Sequence, residues 1–387
     1  MGGTGGRVIL HVGSPKTGTT FLQDVLWRQR DLALAHGLLL PGERFNDHFL
    51  GTLDVRGIVD TRVHPQRAVG MWKRLVAEAA AFDGTSLISH ELYAGASAEQ
   101  ARAAVKELEA AGCEVHIVVT ARDLVRQLTA EWQEHVKHRY VHTFEEFVEA
   151  VAGDPDHWFW RVQGFAGVLQ RWASDLGADR LHVVTVPPSG TAPAELWRRF
   201  AQVLGIDPDA FDIDVPHSNS SLGVEQAELL RRVNLALGPR LPIPGPYPLV
   251  VKNILAHRIL EAQEGTKLTL NTADAERTLT ASQDQAAQLA SMGVQIIGDL
   301  SDLAPPLTAT STNYPETTDT ELLDHAVAAM ADLLVALNHR RAVAADAKDV
   351  LDTARATPVR FALVQAARSR PALARAHRWY RRARHRD

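Results

Sequence analysis

Apolar positions along this chain switch between two periods, and each switch marks an element. Residues 8–11 are mostly apolar and β-prone, residues 13–20 are rich in glycine and threonine, and Phe21, Leu22, Val25 and Leu26 then recur at helical spacing until Gly37 stops the run. This predicts strand, loop, helix. A second helix is predicted around Val69, Trp72, Leu75 and Val76, followed by a short strand at 86–89 that ends on His90 and Glu91. Ser97 and Gln100 have capping-box spacing and open a helix that Gly112 closes, while the apolar run 113–120 reads as a strand buried on both faces. Helical spacing resumes after Arg122. A fourth strand is predicted at 181–186, just before Pro187 and Pro188, and a helix carrying Leu196, Phe200 and Leu204 follows it.

Strands that alternate with helices predict an α/β fold, a central parallel β-sheet flanked by helices. Ligands of such sheets sit beyond the carboxyl ends of the strands, where Gly13, His90, Arg122 and Pro187 would emerge together. Residues 219–303 are mainly helical in pattern, interrupted by a Pro/Gly-rich stretch at 238–248, and are expected around the sheet, so that residues 1–303 make one α/β domain. Residues 304–319, with Pro305, Pro306 and Pro315, have the composition of a linker or long loop. Residues 320–387 are expected to form a helical C-terminal extension whose end, from Arg355, is rich in arginine and carries Trp379 and Tyr380. Such a tail suits a membrane surface or an acidic partner, or simply a solvated terminus.

Composition narrows the class. With 387 residues, 45% hydrophobic and 22% charged, the chain can bury one large core or two smaller ones. A formal net charge of -5 disfavours a nucleic-acid partner. The single cysteine, Cys113, excludes an intrachain disulfide and a cysteine-based zinc cluster, and it fits a cytoplasmic protein. The Gly-rich start lacks the pattern of a leader, and no run approaches the ~20 apolar residues that span a bilayer. A soluble, cytoplasmic chain is therefore expected.

The densest chemistry is His11-Val12-Gly13-Ser14-Pro15-Lys16-Thr17-Gly18-Thr19-Thr20. A Gly-containing turn between strand and helix points backbone N–H groups at an anion, and the helix N-terminus adds partial positive charge. Gly18 is free to take backbone angles closed to other residues, Thr19 and Thr20 offer hydroxyls, and Lys16 adds a full charge. Gly13 and Gly18 have the spacing of an ATP-binding loop, yet Thr19 stands where that loop has its lysine. Neither 86–89 nor 113–120 ends in an aspartate suited to magnesium. A nucleoside triphosphate is disfavoured, and no metal site is expected.

The run Pro-Lys-Thr-Gly-Thr-Thr, after a strand and opening a helix, resembles the 5'-phosphosulfate loop of the sulfotransferase family, in a divergent bacterial-type form. The resemblance covers roughly residues 8–205 and, more faintly, the chain to 303. It implies a sulfotransferase fold like that of P-loop NTPases and the donor 3'-phosphoadenosine 5'-phosphosulfate. By that resemblance Lys16 contacts the phosphosulfate, Thr17, Gly18, Thr19 and Thr20 hold the 5'-phosphate, and Phe21 lies near the adenine. Arg122, just after a buried strand, has the context of the family's 3'-phosphate arginine, whose planar fork grips phosphate oxygens bidentately. The family's partner serine falls on Ala130 here, with Thr129 as the neighbouring hydroxyl and Gln133 one turn on. The Gly-rich, basic segment that completes the nucleotide site in cytosolic members has no counterpart.

Sulfuryl transfer needs a base within reach of the acceptor's proton. The family resemblance favours His90, with Glu91 next and His48 as a third candidate. Residues 217–223 are expected to act as a polar lid or as a helix cap. The acceptor, a hydroxyl or amine of a small molecule, sugar or lipid, would be chosen by the irregular stretches 42–56 and 137–142, with Trp132, Trp158 and Trp160 available to stack. Two other functions fit the sequence: a small-molecule kinase with a reorganised P-loop, and a non-catalytic nucleotide-binding partner protein.

Overall fold

The computed structural model describes residues 6–173, 176–214, 221–307 and 311–356. Six strands form one sheet in the order β2-β3-β1-β4-β5-β6, and every adjacent pair is parallel. They are β1 (Arg7–Gly13), β2 (Leu38–Leu39), β3 (Thr85–Ser89), β4 (Glu114–Ala121), β5 (Leu181–Thr185) and β6 (Gln295–Ile297). The predicted α/β fold with a central parallel sheet is what the chain adopts. Seven of the eight residues of β4 are buried, as an unbroken apolar run on a central strand requires.

The two outer strands, β2 and β6, lie where no strand was predicted. At two and three residues they are too short to show alternation, and β6 sits in a stretch of otherwise helical pattern. They join the sheet because β3 and β5 offer them unpaired backbone edges.

Helices cover the sheet. The chain runs through α1 (Thr19–Arg28), α2 (Arg30–Ala35), α3 (Asp47–Val55), α4 (Met71–Ala80) and α5 (Ala98–Ala110). Ser97 and Gln100 make the predicted reciprocal cap at the start of α5. After β4 come α6 (Leu124–Lys137), α7 (Phe144–Gly153), α8 (Trp158–Gln163) and α9 (Phe165–Ala173), and after β5 comes α10 (Pro193–Leu204). The core cluster on one side joins Ile9, Leu87, Val118 and Val184 of the strands to Leu22 and Val25 of α1 and Trp197 and Phe200 of α10.

Beyond α10 lie α11 (Val224–Leu237), a π-helix at Pro248–Ile259 and α12 (Thr272–Ser291). Residues after 310 pack on the helices: the Ser311 carbonyl accepts from the Thr272 amide at 2.8 Å, and Tyr314 meets Phe144 of α7 edge-on. A last helix, α13 (Asp319–Ala356), crosses a boundary, for residues through Leu322 form one compact unit and those from Leu323 a second. The arginine-rich tail beyond 356 lies outside the described residues. Among the described residues, no helix is long and apolar enough to cross a membrane.

From β1 the chain moves outward to β2 and returns through β3, then crosses to β4 and β5 on the other side. The order therefore reverses at β1. Its carboxyl end, where the loop from Gly13 emerges, is the point at which such sheets open a crevice for a ligand.

Candidate functional site

The loop after β1 takes a shape that its glycines permit. Gly13 has φ 128°, and a Cβ there would stand 3.0 Å from the Glu91 carbonyl oxygen and the Ala94 side chain. Gly18, just before α1, has φ 85°, and a Cβ would come within 2.6 Å of Leu196. Both are positions that side chains rarely tolerate. The Ser14 amide donates to the Thr120 carbonyl at 3.0 Å, tying the loop to β4. Thr17 is buried beneath it and donates to the Ser14 carbonyl at 2.6 Å. Thr17 is thus an internal brace, and its hydroxyl does not face the crevice.

A cavity of about 810 Å³ opens above this loop. Lys16, Gly18, Thr19 and Thr20 line it from below, His90 and Glu91 from the end of β3, and Arg122, Arg126, Thr129 and Ala130 from β4 and α6. Eight predicted site residues, Lys16, Gly18, Thr19, Thr20, His90, Glu91, Arg122 and Thr129, therefore converge on one space. Three other candidates do not reach it. Phe21 is buried in the core cluster rather than set beside a nucleotide base, because α1 turns that face onto the sheet. Thr17 braces the loop as described. His48 is buried on α3, with Nδ1 accepting from the Ser89 amide at 3.2 Å and Nε2 against the Pro41 carbonyl at 2.9 Å. Burial holds the His48 imidazole down at about 4, so it is neutral, doubly engaged and no base for a ligand in the cavity.

Arg122 reaches under the loop and donates to the Lys16 carbonyl at 3.0 Å. The carboxylates nearby in sequence are occupied elsewhere: Asp123 pairs with Arg126 and caps α6, and Glu131 meets His135 and Gln163. Arg122 pairs with no carboxylate among the described residues, and its buried Nε has no partner. Burial, then the charge of Arg126, brings its pKa down to about 10. A guanidinium so placed remains charged with no carboxylate bonded to it, the condition in which an oxyanion binds well. Ala130 stands on the cavity wall without a polar group, and the Thr129 hydroxyl is turned back to the Arg126 carbonyl at 2.9 Å.

The structure adds residues that sequence reasoning missed. Lys16 Nζ donates to Glu134 at 2.5 Å, and Lys252 donates to the other carboxylate oxygen at 2.7 Å. Burial raises the Glu134 pKa, but His138 and the two lysines outweigh it and hold the carboxyl far below the usual range. Lys252 and His257 both line the cavity from the π-helix, five residues apart. Ala130, Glu134 and Lys137 form a stripe at three- and four-residue spacing on α6, a signal present in the sequence. Of the three tryptophans, Trp132 is buried and hydrogen-bonded to the His142 carbonyl, Trp160 bonds the Val151 carbonyl, and Trp158 faces the cavity. Residues 217–220 of the expected lid lie outside the described residues, while Ser221 next to them lines the cavity.

His90 closes β3 with its amide donating to the His11 carbonyl at 3.2 Å and its Nδ1 accepting from the Leu92 amide at 3.2 Å. In the neutral ring that places the proton on Nε2, which is left to donate to a ligand. Burial lowers its pKa, against an upward pull from Glu91, so the imidazole is neutral near pH 7.

Among solved structures, the chain is similar to a sulfotransferase from Alicyclobacillus acidocaldarius, with 14% identity and a TM-score of 0.41 over 73% of this chain and 94% of that one. No family model matches the chain. No curated protein matches it either.

Proposed function

We propose that the protein transfers a sulfuryl group from 3'-phosphoadenosine 5'-phosphosulfate to a hydroxyl or amine. The observation that carries this reading is the pairing, in one cavity, of a lysine-bearing anion loop with a half-buried arginine that pairs with no carboxylate among the described residues. The loop and the first turn of α1 suit the 5'-phosphosulfate, and Arg122 suits a second phosphate on the β4 side. Two separate anion sites fit a nucleotide phosphorylated at two places better than they fit a linear triphosphate. The kinase alternative loses support from Thr19 at the position of the P-loop lysine and from His90 and Arg122 where acidic metal ligands would stand.

In the reaction, a base takes the acceptor's proton while the acceptor atom bonds to sulfur. The bridging S–O bond breaks, its electron pair stays on the phosphate oxygen, and 3',5'-bisphosphate leaves. His90 lines the cavity and is the base we favour, acting through Nε2 in the tautomer with the proton on Nδ1, which requires Nδ1 to release the Leu92 amide; Glu91 is the runner-up. Lys16 offsets charge on the leaving oxygen, an electrostatic contribution of the kind that dominates such transfers. To serve there it must exchange Glu134 for the donor, and Lys252 remains as the carboxylate's second cation.

The test is thermal unfolding with 3'-phosphoadenosine 5'-phosphate beside AMP, ADP and ATP with magnesium. Only the 3',5'-bisphosphate is expected to raise the midpoint, by about 2.7 kcal/mol of stabilisation at ~100 times its dissociation constant. A larger shift with ATP and magnesium would install the kinase reading instead.

A further inference from the structure

One cation of the cavity lies on the wrong side of the loop to serve the donor. Arg56, at the end of α3, lines the cavity beside His90 and Glu91. Its guanidinium carbon stands 5.6 Å from the centre of the Trp158 ring, and Arg161 approaches the same ring at 5.8 Å. Gly95 makes the lodging possible: a Cβ there would stand 2.8 Å from Trp158 and 3.1 Å from the Arg56 guanidinium carbon. An aromatic ring holds a guanidinium in place without neutralising it.

Arg56 is short of partners. Its side chain makes one long hydrogen bond, to the Leu92 carbonyl at 3.5 Å, and pairs with no carboxylate among the described residues. A planar group with five N–H donors is thereby half-buried with most of them unspent. Burial, then the charge of Arg161, lowers its pKa, and the two arginines together make the region attractive to an anion.

Position decides which anion. The segment 91–95 that Arg56 touches follows β3, and Arg122 follows β4, with β1 between them. Neighbouring strands are about 4.8 Å apart, so the ends of β3 and β4 flank β1 at a separation of roughly 10 Å, and the two arginines approach the loop from its two sides. We infer that Arg56, set on Trp158 over Gly95, recognises the acceptor, and that the acceptor carries an oxyanion group, such as a carboxylate, beside the hydroxyl or amine that is modified. This deepens the proposed transferase reading and rests on it for the word acceptor. Binding of an anionic compound at Arg56 does not depend on it.

The experiment titrates the full chain calorimetrically, with and without 3',5'-bisphosphate, against two pairs of probes that differ in charge. The pairs are 4-nitrophenyl glucuronide with the glucoside, and 4-hydroxybenzoate with 4-hydroxybenzamide. In at least one pair the acid is expected to bind about tenfold more tightly or better, as a charge-assisted hydrogen bond gives. Arg56→Gln should abolish the preference, Arg56→Lys should keep part of it, and the thermal shift with 3',5'-bisphosphate should be the same in Arg56→Gln as in the parent. Equal affinities within both pairs, or a preference that survives Arg56→Gln, would overturn the inference. So would loss of the bisphosphate shift in that variant, which would make Arg56 a donor ligand. If the bisphosphate never binds while the acid preference stands, the donor assignment fails and the Arg56 site survives it.

Discussion

Arg122 and Arg199 stand at the carboxyl ends of neighbouring strands, β4 and β5, and their surroundings could hardly differ more. Arg199 reaches back from α10 and is engaged through both Nε and Nη1: it donates to Glu195 at 3.0 Å, to the Thr185 carbonyl at 2.9 Å and hydroxyl at 2.8 Å, and pairs with buried Asp302. Arg122 holds one backbone carbonyl well, leaves Nε without a partner and faces a cavity. One arginine closes a structure and the other keeps an unspent donor beside a cavity. Residue type and strand end do not separate them; the number of donors left unspent does.

The sharpest way to test the contrast is at Lys16, whose carbonyl Arg122 holds. Lys16→Ala is expected to lower turnover by about 10²–10³-fold, the usual effect of removing one preorganised charge from a transfer site, with little change in unfolding temperature. Activity assays with the phosphosulfate donor read this directly. Arg199→Ala should do the reverse. Leaving Asp302 buried and unpaired costs about 3–5 kcal/mol of stability, visible in denaturant unfolding, whereas Arg122→Ala should remove the bisphosphate-induced thermal shift while costing about 1 kcal/mol or less. Equal losses of stability in the two variants would erase the distinction.

A pH series probes the ground beneath both sites. His11 and His48, held by burial at about 3 and about 4, stay neutral in the fold but protonate near 6.5 when it opens. The unfolded state therefore binds more protons below pH 6.5, and stability should fall as pH drops from 6.5 toward 3, at about 1.4 kcal/mol per pH unit for each histidine fully engaged. The slope should flatten in His48→Gln. The smallest change expected is a gain: Ala130→Ser restores a hydroxyl on the Arg122 side and should tighten 3',5'-bisphosphate binding by roughly fivefold, the worth of one neutral hydrogen bond.

Much of this was legible in the sequence, and the reasons for the exceptions are physical. The four longer strands, the α5 cap and the loop at 13–20 announce themselves because period, capping and glycine placement are local signals. The fold's outer strands are not local, since two- and three-residue strands exist only because an edge is waiting for them. At the site, Lys16 and Arg122 were readable from their places after strands, but Phe21 and His48 turned inward with the faces of α1 and α3. Glu134 was hidden differently: on its own helix it looks like an ordinary surface carboxylate, and only the loop and the π-helix, 118 residues away on either side, give it two lysines.

That π-helix also changes how its own residues must be indexed. In an α-helix, at about 100° per residue, positions 252 and 257 would point some 140° apart, and one of the two side chains would leave the cavity. The i to i+5 winding of Pro248–Ile259 brings Lys252 and His257 to the same wall. A chain one residue shorter between them would present the same pair from an ordinary α-helix, four positions apart. Aligning such proteins residue by residue would then misplace one basic group by a register, and only the shared wall would show the two arrangements to be equivalent.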